Sequence, residues 1–188
     1  MSRVSPIKDI REERMYVQYM NVHYPRAALY WKIGRNSGYR VSDVLNLTVY
    51  DLKEIINNGK FTIKEKKTGK LRSVALTAEL KKTLVEFVKD KNDYEKVFRS
   101  RQGQNKAVSS RQMGRDLKKA AKEVGLKVNV GTHSARKTFA YYMDKARGIE
   151  FVQALLGHST QRVTMVYTGR MEEIQDEAIM SDLPVLGV

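Results

Sequence analysis

The 188-residue sequence contains no cysteine, which excludes a disulfide framework, a thiolate metal site and a cysteine nucleophile together. Prolines number only three, and 41% of residues are hydrophobic against 30% charged. That is the composition of a chain that buries a core rather than a disordered one. Long apolar runs are missing as well. The longest are about five residues, against the ~20 a spanning helix needs, and Met1-Ser-Arg-Val-Ser-Pro lacks the apolar stretch of a secretory signal. The expectation is one soluble, intracellular, strongly basic globular domain over residues 1–188, cytoplasmic and without a membrane partner.

Acid is the other scarcity, and it is local. The formal net charge is +14, and residues 60–73 hold Lys60, Lys64, Lys66, Lys67, Lys70 and Arg72 against the single acid Glu65. Residues 96–122 hold nine basic residues against Asp116 alone, whereas the tail from Met171 carries five acids and no base. Segregation of this kind is the electrostatic footprint of a polyanion site, nucleic acid before an anionic membrane surface.

A helix expected over Ser109–Val124 makes the footprint concrete. Met113, Leu117, Ala120 and Val124 fall on one stripe. Arg111, Arg115, Lys118 and Lys122 repeat the same spacing two residues out of phase, nearly opposite it. One face packs and the other presents four cations; the small residues of the apolar face suit a protein core better than a membrane surface.

Helical periodicity dominates the rest, with helices expected at about Ile7–Met20, Pro25–Asn36, Asp43–Asn46, Ala78–Lys89, His133–Lys145, Glu150–Leu156, Thr160–Tyr167 and Met171–Met180. Between Thr48 and Leu76 the pattern turns β-rich in three pieces, at Thr48–Tyr50, Lys60–Lys64 and Leu71–Leu76, separated by Asn57-Asn-Gly and Lys67-Thr-Gly-Lys. The fold class is therefore mainly α with a small three-stranded antiparallel β-sheet (α+β).

Two segments carry the chemistry: Thr132-His-Ser-Ala-Arg-Lys-Thr-Phe-Ala, and Leu155-Leu-Gly-His-Ser-Thr with Tyr167 nine residues beyond its histidine. His133 and Arg136 are spaced i, i+3, so both side chains can converge on one anionic group. A nine-residue step would put His158 and Tyr167 on opposite sides of one straight helix. Gly157 and Ser159 supply a stop and a new cap between them. Arginines, lysine, histidines and tyrosine together form a phosphoryl-transfer set, with donors for developing charge, a proton donor and a hydroxyl nucleophile. Carboxylates are scarce near these segments, which argues against a metal-clamped phosphate.

With Gly38-Tyr-Arg-Val-Ser-Asp-Val-Leu-Asn-Leu upstream and Lys67-Thr-Gly-Lys-Leu-Arg between, the sequence resembles the catalytic domain of the tyrosine recombinases, the phage-type integrase family. The resemblance covers nearly the whole chain and implies the DNA breaking-rejoining fold. Carried over by position, it implies that Tyr167 attacks the scissile phosphodiester to leave a 3′-phosphotyrosyl link and a free 5′-hydroxyl. Arg40 and Arg136 clamp the non-bridging oxygens, a task for which arginine's planar fork is suited. His133 and His158 donate hydrogen bonds or carry the tyrosine's proton. Lys67 protonates the leaving oxygen, with Lys66 and Lys70 as local rivals. Asp43 either orients Arg40 or opens a helix.

The same resemblance implies double-stranded DNA as partner, a homotetramer whose C-terminal helix (Ile174, Ala178, Ile179, Leu183) docks on a neighbouring protomer, and no cofactor, metal or ATP. Lys66, Lys70, Arg72, Arg111, Arg115, Lys118 and Lys122 are the expected DNA-backbone contacts, and a bacterial or phage origin is expected. Two departures stand out: Ala135 replaces the usual leucine and Lys137 the common histidine. The N-terminal core-binding domain of the family is expected to be absent. A DNA-binding regulator with the same fold, or strand relaxation of the type IB topoisomerase kind, are the alternative readings.

Overall fold

Local sequence signals set nearly every helix boundary in the computed structural model, which describes residues 4–67 and 69–182. Helix α1 (Ile10–His23) starts where the Asp9 carboxylate accepts the backbone N–H groups of Arg11 and Glu12, satisfying donors a helix start leaves open. Helix α2 (Pro25–Ser37) has proline at its first position and stops at Gly38, whose φ of +63° is the left-handed geometry that favours glycine. A Cβ at Gly38 would also overlap the Phe139 ring, so this position has two reasons to be glycine.

After the short helix α3 (Val41–Val44), helix α4 (Val49–Asn58) begins at a capping box. Thr48 accepts the Asp51 N–H while the Asp51 carboxylate accepts the Thr48 N–H. The expected strand at Thr48–Tyr50 is therefore the start of a helix, and among the described residues the sheet has two strands rather than three. The β-branched Thr48 and Val49 favour a strand, but the cap and the buried Leu52 and Ile55 at helical spacing outweigh that preference. Thr48 keeps only an isolated bridge to Lys96.

Strands β1 (Lys60–Lys64) and β2 (Leu71–Ala75) form an antiparallel hairpin pairing Phe61 with Val74 and Ile63 with Arg72. Because strand side chains alternate, Phe61, Ile63, Arg72 and Val74 share one face, and Phe61 is fully buried. Glu65, next in phase after Ile63, is buried too.

Helices α5 (Ala78–Val88), α6 (Ser110–Glu123) and the first turns of α7 (Ser134–Arg147) complete a first compact unit that ends at residue 139. Its core gathers Tyr16, Tyr30, Trp31, Phe61, Leu84, Phe98, Met113 and Leu117. The Trp31 indole N–H donates to Glu13 (2.9 Å), whose carboxylate also pairs with Arg35 (3.0 Å). The segment before α1 is fastened to α7: the Ile7 N–H donates to Thr138 Oγ1 (2.9 Å) and Lys137 Nζ to the carbonyl of Val4 (2.8 Å). Ala135 is fully buried, and its Cβ would lie 3.0 Å from a Cβ on Gly34. The departure from leucine thus falls at a close approach of α2 and α7.

The second compact unit begins at residue 140. It contains the rest of α7, α8 (Ile149–Leu156), α9 (Gln161–Thr168) and α10 (Arg170–Asp182). Its buried residues are few and small, among them Ala140, Val152, Leu156, Thr164 and Thr168. An ion pair of Arg170 with the buried Asp144 (2.8 Å) and one of Lys145 with Glu173 (3.1 Å) join α10 to α7. Helix α10 buries no residue; Leu183 lies outside the described residues. Among the described residues no helix is long and apolar enough to cross a membrane.

Candidate active site

In the first unit the hairpin and the α2–α3 junction converge on a carboxylate. Tyr39 is fully buried, and its hydroxyl lies between the carbonyls of Phe61 (3.0 Å) and Arg72, tying both strands to the junction. Burial pushes this phenol up to about 12, so it remains a protonated donor. Arg40, next in sequence, sits at the N-cap of α3 with extended backbone and directs Nη1 to Glu65 Oε2.

Two further arginines face the same carboxylate. Arg72 Nη1 lies 3.4 Å from Glu65 Oε1 and donates to the Gly38 carbonyl (3.2 Å), while its Nη2 donates to the carbonyl of Ser37. Its guanidinium carbon stands 4.4 Å above the Tyr39 ring. Arg136, from the first turn of α7, donates to the same Gly38 carbonyl at 2.5 Å and lies 3.9 Å from Glu65 Oε1. Side-chain exposure is 6% for Glu65, 4% for Arg136, 12% for Arg72 and 18% for Arg40. Arg40 is thus the most open of the three arginines.

Arg72, expected on the DNA-facing surface, instead points inward. The register places it in phase with Phe61 and Ile63, and its fork is engaged by Glu65 and two backbone carbonyls. Desolvation lowers the pKa of its guanidinium below the usual value.

Lys67 lies on the exposed hairpin turn, two residues beyond Glu65, with Lys66 and Lys70 also exposed. The turn is closed by Glu65 N–H to Lys70 O and Gly69 N–H to Glu65 O. Asp43 accepts the Lys66 backbone N–H at 3.0 Å, so it fastens the hairpin arm next to Lys67 as well as standing in the first turn of α3.

His133 sits at the start of α7, where its carbonyl accepts the Lys137 N–H. Partial desolvation, then the charges of Arg136, Lys137 and Arg40, push its imidazole pKa below the ordinary value. The neutral ring is favoured at neutral pH.

In the second unit α8 ends at Gly157 with φ +67°, and α9 opens at Thr160, whose hydroxyl accepts the Val163 N–H. The expected break between His158 and Tyr167 is present, with Thr160 rather than Ser159 as the new cap. The two rings meet edge to face, centroids 5.0 Å apart and planes at 70°. The Tyr167 hydroxyl oxygen is shielded from solvent. His158 Nδ1 is 3.1 Å from Thr164 Oγ1, and that hydroxyl donates to the Thr160 carbonyl (3.2 Å). The Thr164 hydroxyl therefore bridges the His158 ring and the first turn of α9.

The remaining candidates are on α6. Ser109 caps the helix, Met113, Leu117 and Ala120 are fully buried, and Arg111, Arg115, Lys118 and Lys122 are all exposed. Glu65 and Thr164 are the functional candidates that motif reading passed over. Glu65 had left a signal, as the single acid in a basic stretch and in phase with Phe61 and Ile63.

The model of the phage integrase family matches residues 10–173. The chain belongs to the phage integrase family. Among curated relatives it is 33% identical over 174 residues to the probable integrase/recombinase YoeC of Bacillus subtilis, covering 92% of this chain and 93% of that protein. With the tyrosine recombinase XerA of Pyrococcus furiosus it shares 28% identity over 135 residues, 70% of this chain and 46% of the relative. This family member thus spans nearly all of one relative and about half the length of others. Its fold matches the crystal structure of XerA recombinase with a TM-score of 0.72 at 21% identity, over 99% of this chain and 68% of that one. It also matches the lambda integrase catalytic core, at 0.63 and 23%, over 83% of this chain and 92% of that one. The fold is that of the tyrosine-recombinase catalytic domain.

Proposed function

We propose that this chain is a site-specific DNA recombinase that cleaves and rejoins double-stranded DNA one strand at a time through a 3′-phosphotyrosyl intermediate. The observation that carries the reading is the gathering of Arg40 and Arg136, far apart in sequence, at one buried carboxylate, in a chain that also pairs His158 with Tyr167.

In the proposed step the Tyr167 oxygen attacks phosphorus while the bond from phosphorus to the 5′-oxygen breaks. The phenolic proton passes to His158, whose ring lies edge to face against that of Tyr167. Arg40 and Arg136 hold the non-bridging oxygens, where charge grows in the transition state, and neutral His133 adds a ring N–H. Lys67 delivers a proton to the leaving 5′-oxygen. The phosphodiester bond energy is kept in the tyrosyl link, so resealing is the same step reversed and draws on no ATP.

The partner we propose is duplex DNA, followed by the α6 cations and by Lys66 and Lys70 along the backbone. The lambda integrase has been crystallised as a tetramer bound to a Holliday junction; we propose that this chain also acts as a homotetramer on DNA. Helix α10 exposes Ile174, Ile179 and Met180 and is the proposed contact with the neighbouring protomer.

The test is incubation with a nicked suicide duplex followed by a denaturing gel. Wild-type protein forms a covalent adduct and Tyr167→Phe forms none. Duplex binding without any adduct from wild type overturns the enzymatic reading in favour of a DNA-binding regulator. Efficient relaxation of supercoiled plasmid lacking a recombination site overturns site-specific recombination in favour of topoisomerase-like strand relaxation.

A further inference from the structure

Glu65 is buried among three arginines at the base of the turn that carries Lys67. Two of those arginines, Arg40 and Arg136, belong to the proposed phosphate clamp; the third, Arg72, is committed to backbone carbonyls and to the Tyr39 ring. Three guanidinium groups at such range repel one another, and at low exposure water screens little of that repulsion. Glu65 is the only acid that residues 60–73 offer to oppose it.

We infer that Glu65 is a positioning residue that holds Arg40 and Arg136 in the geometry for a scissile phosphate and fixes the base of the Lys67 hairpin to them. The inference rests on the recombinase reading above and names a residue which that reading leaves without a role. Glu65 is less exposed than Arg40, 6% against 18%, and as deep as Arg136, at 4%, so the carboxylate lies on the inner side of the Arg40 guanidinium. Arg40 meets Glu65 through Nη1, and a guanidinium carries five N–H donors, so this one can serve the carboxylate on its inner side and a phosphate on its outer side. The backbone of Glu65 closes the hairpin turn through bonds to Lys70 and Gly69. One residue therefore couples the phosphate clamp to the residue proposed to protonate the leaving oxygen.

The experiment is single-turnover cleavage of the suicide duplex, with duplex affinity and thermal unfolding measured on each variant. Glu65→Gln keeps the shape and loses the charge. It is expected to cleave about a hundredfold more slowly, as sub-ångström to 1 Å misplacement of clamping groups does, while duplex Kd changes less than threefold.

Three arginines without a counter-charge can also unfold the protein, so a second variant is needed. Glu65→Gln with Arg72→Gln restores the wild-type net charge of the cluster. Its fold is expected to recover and its cleavage to remain slow, because Arg40 and Arg136 still lack the carboxylate. Glu65→Asp is expected to recover part of the rate. Wild-type cleavage by folded Glu65→Gln, or by the charge-restored double variant, overturns the inference; absence of adduct from wild-type protein overturns the recombinase reading instead.

Discussion

The two groups of candidate residues are built from different physics. In the first unit a buried carboxylate and three guanidinium groups are charged, desolvated and tied to backbone carbonyls. In the second, His158, Thr164 and Tyr167 form a small array of hydrogen bonds and ring contacts on two helices of eight residues each. Helices that short are marginal alone and depend on their caps and on packing. The difference separates two tasks. Holding a phosphate calls for fixed charge assembled before DNA arrives, whereas supplying a nucleophile calls for a hydroxyl that can move and lose a proton.

Breaking the charged group has the largest expected effect. Arg136→Ala removes a donor to Gly38 and one of the guanidinium groups facing Glu65, and cleavage should fall about 10²- to 10³-fold. The melting temperature should drop with it, by a stability loss near the lower end of the ~3–5 kcal/mol seen when a buried pair is broken, since Arg40 and Arg72 still face the carboxylate. Arg136→Lys should rescue little of the rate, because a point charge does not reproduce the fork. Single-turnover cleavage and thermal unfolding check both.

The neutral group should respond more mildly. Thr164→Val removes the hydroxyl hydrogen-bonded to His158 Nδ1, and cleavage should slow by about tenfold with a changed pH profile, as for a misoriented proton acceptor. A variant with the wild-type rate and profile at every pH would show that this hydrogen bond does not orient His158.

Outside both groups, Arg115→Ala with Lys122→Ala should lower duplex affinity and flatten its salt dependence by about one to two units of slope, as read from binding isotherms at several salt concentrations. An unchanged slope refutes phosphate contact by α6.

The smallest expected effect is on stability against pH. The His133 pKa is lowered in the folded protein, so the unfolded chain binds the proton more readily. The contribution to stability is complete above the ordinary histidine value of about 6.5 and is lost as pH falls through the lowered one. His133→Gln should flatten the stability profile over that interval in denaturant titrations.

Much of this was legible in the sequence, for reasons that individual residues make plain. The α6 stripe and its opposing cations follow from helical periodicity, and Gly157 marks a stop that holds in the structure. Thr48–Tyr50 misled because β-branched residues open a helix as readily as a strand once Asp51 completes a capping box. Arg72 misled because net charge does not tell which face of a strand a cation occupies; its phase relative to Val74 and, across the hairpin, to Ile63 does. Glu65 was invisible to motif reading because its role depends on Arg40 and Arg136, 25 residues before and 71 after it, meeting at one point. Thr164 was hidden for a similar reason, since only the turn between α8 and α9 brings its hydroxyl back to His158.

In the proposed reaction Tyr167 carries the DNA. Trypsin releases residues 163–170 as one peptide, between Arg162 and Arg170, so mass spectrometry of the purified adduct after nuclease digestion tests it directly. The expected product is nucleotide joined through a 3′-phosphate to that peptide, at Tyr167. Attachment to any other peptide, or through a 5′-phosphate, contradicts it.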